Sequence, residues 1–106
     1  MANLIIVSWR DIPAQVIVEL GRGRKRISAK VELPKRFITA IDSAAMRGGA
    51  DQADDYLEQW RRSDPVEVDA ADGPAMQAVA EAKAAEIETA YPAERLRDLI
   101  ANDGRG

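Results

Sequence analysis

Residues 4–33 read LIIVSWRDIPAQVIVELGRGRKRISAKVEL, and this stretch decides the fold. Its last eight residues, 26–33, alternate between polar and apolar side chains, which is the period of a strand with one face in the core and one face in water. We expect the apolar side of this strand to face the helices. It consists of Ile27, Ala29, Val31 and Leu33.

Two further strands precede this one in the chain. The apolar run at 4–7 predicts a strand covered on both faces, and residues 14–20 alternate again. Asp11 and Pro13 predict a tight turn between them, because proline cannot donate to a strand ladder and aspartate favours turns. The glycines within 21–24 supply the positive φ of a second turn. Short turns of this kind join antiparallel strands, so the stretch predicts a three-stranded antiparallel meander.

The rest of the chain predicts four helices and one short returning strand. Apolar residues recur at helical spacing within each helical segment, and Pro, Asp or Gly mark the ends of the segments. The expected helices are residues 34–47, 51–62, 73–90 and 93–101, and the expected fourth strand is 65–69.

The element order βββ-αα-β-αα predicts a single α+β domain over residues 1–106, with its four helices packed mainly on one face of the sheet. A chain of this length buries roughly two thirds of its unfolded surface without disulfides or metals. The polar, glycine-containing residues 102–106 are expected to fray.

The composition removes several kinds of chemistry. The chain has no Cys and no His, so it lacks a thiolate nucleophile, a cysteine zinc site and the commonest general base. No phosphate-loop spacing occurs either. We therefore expect no catalytic residue and no cofactor. The apolar run at 4–7 is too short for a signal peptide or a membrane span, so a cytoplasmic protein without a membrane partner is expected.

Three carboxylates near the start of the second expected helix, Asp51, Asp54 and Asp55, are close enough in sequence to share a cation. Helix capping and the helix dipole explain all three without a ligand. No metal site is therefore expected.

Charge is distributed unevenly along the chain. Residues 1–36 hold eight Lys or Arg against three Asp or Glu, a balance of +5, whereas residues 37–106 hold seven against fifteen, a balance of −8. Either this pattern is an ordinary solvated surface, or the sheet end of the molecule attracts anions.

The turn after the second strand is the densest basic cluster. Four positive side chains at such a turn could hold the phosphates of RNA or another polyanion. With two Trp, two Tyr and one Phe in the chain, few rings are left for base stacking, so nucleic acid is not the expected partner. The candidate anion-binding residues are Arg22, Arg24, Lys25 and Arg26.

A second candidate site lies at the first turn. Trp9 stands at a strand end beside Arg10 and a proline-bearing turn, a composition typical of interaction hot spots. The alternative is that the Trp9 ring covers the helix layer inside the core, and the burial of this ring distinguishes the two. Trp60 with Arg61 and Arg62 is a similar cluster, in which we expect the tryptophan in the core.

Three strings in the chain carry a resemblance to a known family. They are a WRDIPAQV-type hairpin at 9–16, an ELxxRFxxAIDxAAM-type helix at 32–46 and a YLExWRR-type helix at 56–62. Over about residues 3–69 the chain resembles the small bacterial "virulence factor" domain family. The resemblance carries no catalytic residues. It implies an accessory or scaffolding role, since stand-alone members tend to be encoded among folate- and corrinoid-dependent one-carbon proteins and longer relatives join the domain to helical repeats.

Three hypotheses follow. The leading one is a cytoplasmic, non-catalytic accessory protein that binds another protein through Trp9, Arg10 and Gln15. By the resemblance, this partner is expected to be a corrinoid- or folate-dependent methyl-transfer enzyme. The second is an anion- or RNA-binding module acting through the basic turn. The third is a small folate-binding or enzyme subunit in which Arg10 binds a carboxylate.

Overall fold

A computed structural model describes residues 2–21, 23–47, 49 and 53–105, and at residues 53 and 55 it describes the backbone alone. The strands are β1 (Ala2–Trp9), β2 (Ile12–Leu20), β3 (Ile27–Glu32), β4 (Trp60–Arg62) and β5 (Val66–Val68). The helices are α1 (Lys35–Arg47), α2 (Ala53–Glu58), α3 (Gly73–Ala90) and α4 (Ala93–Ala101). A short 3₁₀ turn, Gly23–Lys25, connects β2 to β3.

The five strands form one antiparallel sheet. Its order is β3-β2-β1-β4, and β5 pairs with β1 as well. Along β1, the segment Val7–Trp9 pairs with β4 and the segment Ala2–Leu4 pairs with β5, so these two short strands share one edge of the sheet. The expected α+β class, the meander and the returning strand are confirmed. The strand β4 is an addition to the expected topology.

The core lies between one face of this sheet and the helices. Helix α3 crosses β2 and β3, while α1 contacts β2 and packs against α4. The largest side chains buried there are Trp9, Phe37, Ile12, Ile41, Met76, Val16 and Val18. Burial of this apolar surface is the main stabilising contribution, at about 25 cal/mol per Å² removed from water.

The alternation of β3 places its residues as expected with one exception. Ala29 and Leu33 are buried, and Val31 is partly buried against the core. The prediction is wrong for Ile27, which is 46% exposed. It pairs with Leu20 at the end of the sheet, where the chain has just left the turn.

The second helix ends one turn earlier than the sequence predicts. The chain leaves α2 at Glu58 and enters β4, so Trp60 and the two following arginines are in a strand. The backbone N–H of Arg10 donates to the carbonyl of Gln59 at 3.0 Å, and Trp60 pairs with Trp9 in the ladder. These long-range backbone bonds override the local helical pattern. The expected cap of this helix, Asp51, lies outside the described residues.

The third helix begins as predicted. The Asp72 side chain accepts a hydrogen bond from the Ala75 backbone N–H at 2.8 Å, and Pro74 lies in the first turn. The carboxylate satisfies a backbone donor that has no partner within the helix. The helix ends at Ala90 with Tyr91 as its C-cap, and Pro92 follows.

The C-terminal turn does not fray over residues 102–105, contrary to the prediction. Gly104 is buried, and its carbonyl accepts a hydrogen bond from the Asp11 backbone N–H at 2.8 Å. Its own N–H donates to the Leu99 carbonyl at 2.7 Å. The positive φ of Gly104, +87°, bends the chain back onto the sheet, a conformation that glycine adopts readily.

In the described part of the chain, no helix is long and apolar enough to cross a membrane.

Candidate functional site

Trp9 is a core residue. Its side chain is fully buried, and its indole N–H donates to the carbonyl of Tyr56 at 2.9 Å. The ring stacks on Tyr56 with 5.9 Å between centroids, and Tyr56 meets Trp60 edge-on at the same distance. A buried ring cannot touch a docking partner, so the structure rules out Trp9 as a contact residue and supports its role in the core.

The three expected contact residues do not form one surface. Gln15 lies in β2 between two core residues, Ala14 and Val16, so its side chain points to the opposite side of the sheet. Its partners in the ladder are Val7 and Glu32. Of these three residues, Arg10 alone borders the large open groove between the β1–β4 edge of the sheet and helix α4.

Arg10 is held by contacts on three sides. Its guanidinium lies over the Trp9 ring, 4.8 Å from the centroid. Its Nε donates to the Gln59 side chain at 3.2 Å, and its Nη1 donates to the Asp103 carbonyl at 2.6 Å. The backbone of Arg10 has a positive φ of 52°. This residue therefore joins the first turn to the start of β4 and to the C-terminal turn.

The basic turn stands apart from this region. Arg24, Lys25 and Arg26 are all exposed, and Arg22 lies outside the described residues. The guanidinium of Arg26 lies 3.9 Å from the Glu19 carboxylate. The side chains of Arg24, Lys25 and Arg26 do not border the groove between the β1–β4 edge and helix α4.

An open groove of about 790 Å³ lies between the β1–β4 edge of the sheet and helix α4. Its walls include apolar, polar and acidic side chains, but arginine predominates. Five arginines border it, against two aspartates, Asp11 and Asp98. The arginines are Arg10, Arg61, Arg62, Arg95 and Arg105. We call this the arginine groove.

Protein contacts orient two of these side chains. Arg61 donates from Nε to the Arg10 carbonyl at 2.9 Å and from Nη2 to the Asp11 carboxylate. The Arg95 guanidinium lies 4.0 Å from the centroid of the Tyr91 ring, and its Nη1 donates to the Ala90 carbonyl at 2.8 Å. Such contacts restrict the rotamers of long side chains before any ligand arrives.

The other two arginines complete the border. Arg62 reaches toward the Glu19 carboxylate at 3.4 Å. Arg105 is exposed, and it also borders an adjoining hollow of about 500 Å³ together with Arg61 and Glu58. The groove is therefore a positively charged surface in a chain whose net charge is −3.

The chemistry of this groove suits binding. The Ser63 hydroxyl at its edge accepts a hydrogen bond from the Ile6 backbone N–H at 2.8 Å. Guanidinium groups present planar pairs of donors that match a carboxylate or a phosphate. Among the described residues no group of three metal-ligating side chains is found, and Asp54, one of the expected carboxylates, is exposed. Asp51 and the side chain of Asp55 lie outside the part of the chain that the structure describes.

Tyr56, which stacks on Trp9, has a shifted pKa. Burial raises the pKa of Tyr56 above its ordinary value of 10.0. The negative charge of Asp42 raises it further, whereas a hydrogen bond with Trp60 opposes the shift.

Sequence reasoning missed two of the five arginines of this site. Arg10, Arg61 and Arg62 stand in clusters that the sequence singles out, but Arg95 and Arg105 do not. The latter two lie in residues 37–106, where acidic residues outnumber basic ones by eight. The charge balance of that stretch therefore gives no indication of a positive site. Tyr91 precedes α4 and Arg95 lies in its first turn, so their contact joins a connecting residue to a helix start and follows from no helix periodicity.

Comparison with known proteins identifies one family. A family model described as Virulence factor matches residues 7–100. No curated protein and no solved structure matches the chain. The matched range begins four residues after the start of the stretch 3–69 that carries the resemblance, and it continues past residue 69 through α3 and nearly all of α4. With this share of its length matched, the chain belongs to the Virulence factor family.

Proposed function

We propose that the chain is a non-catalytic accessory protein of the cytoplasm that binds another protein through the arginine groove. One observation carries this proposal: arginines from the first turn, β4, α4 and the C-terminal turn border a single open groove. The partner contributes acidic side chains to that groove. That this partner is a corrinoid- or folate-dependent methyl-transfer enzyme rests on the family resemblance alone.

Carboxylates are the ligands that this arrangement favours. Arg61 and Arg95 are already oriented by backbone carbonyls and by Asp11 and the Tyr91 ring, so binding orders them at a reduced entropic penalty. A guanidinium can then pair with a carboxylate through two parallel hydrogen bonds. Arginine is also enriched at the centres of protein interfaces.

A protein fits the groove better than a nucleic acid does. Single-stranded nucleic acids bind to aromatic faces that are free to stack with bases. The aromatic residue in the groove, Tyr91, is already covered on one face by the Arg95 guanidinium. The two aspartates on the groove wall and the net charge of −3 also oppose binding of a phosphate backbone.

The experiment compares two triple variants that lose the same charge. The groove variant is Arg61→Ala/Arg95→Ala/Arg105→Ala, and the matched turn variant is Arg24→Ala/Lys25→Ala/Arg26→Ala. Each is used to capture proteins from nuclease-treated lysate of the native host. The captured partner is identified, purified and titrated against the wild type and both variants.

We expect the groove variant to bind the purified partner at least roughly tenfold more weakly, and the turn variant to bind it like the wild type. Both should unfold within about 1 kcal/mol of the wild type, because exposed ion pairs contribute little stability. Binding lost in the turn variant and kept in the groove variant would place the site at the basic turn. Capture that requires nucleic acid would also overturn the proposal. So would a free small carboxylate that shows the same loss of binding in the groove variant.

A further inference from the structure

The arginine groove continues into a second, apolar groove. This neighbour has a volume of about 460 Å³ and lies between β1, β5 and α3. Ile6 and Ser63 border both grooves, so the two form one trough along β1. The apolar wall of the second groove consists of Leu4, Val66, Val68, Val79 and Ala82.

The trough exists because the helices leave part of the sheet uncovered. Helix α3 contacts mainly β2 and β3, and α4 packs on α1, so the helices cover β1 beside β4 and β5 less closely. Ile6 of β1 is half-buried, Val66 of the neighbouring β5 is 58% exposed, and Ala82 on α3 is exposed. Apolar surface left open beside a polar rim is typical of interaction sites.

The trough has two chemically different ends. At the α4 end stand Arg61 and Arg95, and at the α3 end the wall is apolar, with the ion pair of Lys83 and Glu86 on its rim at 3.3 Å. The distance along β1 from Leu4 to Trp9, the residue before Arg10, is about 17 Å at a rise of about 3.3 Å per residue. That length accommodates about five residues of extended chain or about 11 residues of helix.

We propose that the element of the partner that docks here is a short segment with acidic residues at one end and apolar residues at the other. It lies along β1 with its acidic end at the arginines and its apolar end between β5 and α3. This inference rests on the proposed function and adds the chemistry and the orientation of the segment. Charge complementarity sets the orientation, and the openness of both grooves to solvent favours a chain segment over an enclosed small molecule.

The test begins with peptide selection on the wild-type chain. A phage-displayed library of random peptides of about 12 residues, long enough for the trough, is selected against the immobilised protein. Selected peptides are synthesised, and their affinities are measured for the wild type, for the groove variant defined above and for two single variants. Ala82→Glu introduces a charge into the apolar groove. Ala85→Glu is the matched control, exposed on the same helix but outside the groove wall.

We expect selected peptides to carry acidic residues followed or preceded by a block of apolar ones. Their binding should weaken at least roughly tenfold in both Ala82→Glu and the groove variant, and remain unchanged in Ala85→Glu. In nitrogen-15 NMR spectra, a single peptide should shift amides of Val66 and Asn102 together, since these mark the two ends of the trough.

The outcomes separate this inference from the proposed function. Selected peptides that share acidic residues but no apolar block, and that bind Ala82→Glu as tightly as the wild type, would overturn the inference. The proposed function would still stand. Peptides without acidic residues, bound equally by the groove variant, would overturn both. The far-ultraviolet circular dichroism spectrum of each variant should match that of the wild type if the exposed substitutions leave the fold intact.

Discussion

Gly104 lies directly against the ring of Trp9. A β-carbon at position 104 would stand 2.9 Å from Cζ3 and 3.3 Å from Cε3 of the indole. The C-terminal turn therefore closes over the buried tryptophan at a distance that glycine alone allows. Because Arg10 bonds the neighbouring carbonyl of Asp103, the same turn also positions a side chain of the arginine groove.

Gly104→Ala should destabilise the protein through two effects. The positive φ of +87° is unfavourable for alanine by about 1 kcal/mol, and the contact with Trp9 adds about 1–3 kcal/mol. Gly23→Ala is the matched control, because Gly23 has a φ of +60° and no atom near the added carbon. Urea unfolding checks the difference. Equal losses of stability in the two variants would mean that the turn moves freely away from Trp9.

The inward side of β3 should not tolerate a charge. Ala29 is 8% exposed and pairs with Val18 in the core, so Ala29→Asp buries an unpaired carboxylate and should lower the free energy of unfolding by several kcal/mol, about 3 or more. Lys30→Asp places the same group on the exposed side of the same strand. Thermal unfolding of both variants provides the measurement. A loss in Lys30→Asp as large as that in Ala29→Asp would contradict the assignment of the two faces.

The N-cap of α3 should contribute about 1 kcal/mol. Asp72→Ala removes the carboxylate that accepts from the Ala75 N–H, and this donor then has no partner in the helix. Asp69→Ala removes an equal charge from an exposed position before the helix. Chemical denaturation should show a loss for Asp72→Ala and almost none for Asp69→Ala. Indistinguishable midpoints would indicate that the cap adds nothing to stability.

Stability should decline on the alkaline side because of Tyr56. Its pKa is raised in the folded protein, first by burial and second by Asp42, so the folded state keeps the phenol proton to higher pH than the unfolded state does. This contribution is complete below the unfolded pKa of about 10 and is lost as pH rises through the folded pKa. Urea unfolding between about pH 9 and pH 11 should show a smaller decline in Tyr56→Phe than in Tyr91→Phe.

Absorbance gives an independent measurement of the same group. In Tyr91→Phe, Tyr56 is the remaining tyrosine of the chain, and its titration should lie above pH 10. Asp42→Asn in that background should move the titration to lower pH, because it removes a charge that opposes ionisation. A titration at or below pH 10 in the folded protein would show that Tyr56 is more solvated than its packing against Trp9 implies.

Local signals in the sequence were sufficient for most elements. The alternation at 26–33 predicts β3, Asp72 with Pro74 predicts the start of α3, and Pro92 predicts its end. Each of these signals operates over a few residues, through side-chain periodicity, a cap or a missing N–H group. The elements that these signals predict form in the folded protein because the tertiary contacts favour the same local structure.

Residues 60–62 and 102–105 depended on distant parts of the chain. Trp60 is in a strand because it pairs with Trp9, and the C-terminal turn is ordered because Asp11 donates to Gly104. The local sequence favours a helix in the first case and fraying in the second. Backbone hydrogen bonds to a partner far along the chain are invisible to any window of neighbouring residues.

The sequence by itself determined the α+β class, the meander and the family strings, since these depend on local periodicity and on exact residue order. Only the tertiary structure decided which side chains meet. It buried Trp9, separated Gln15 from Arg10, and brought Arg10, Arg61 and Arg95 to one groove. The physical reason is that charge and burial are properties of three-dimensional neighbourhoods. Arginines scattered through an acidic stretch become a positive site only when folding places them side by side.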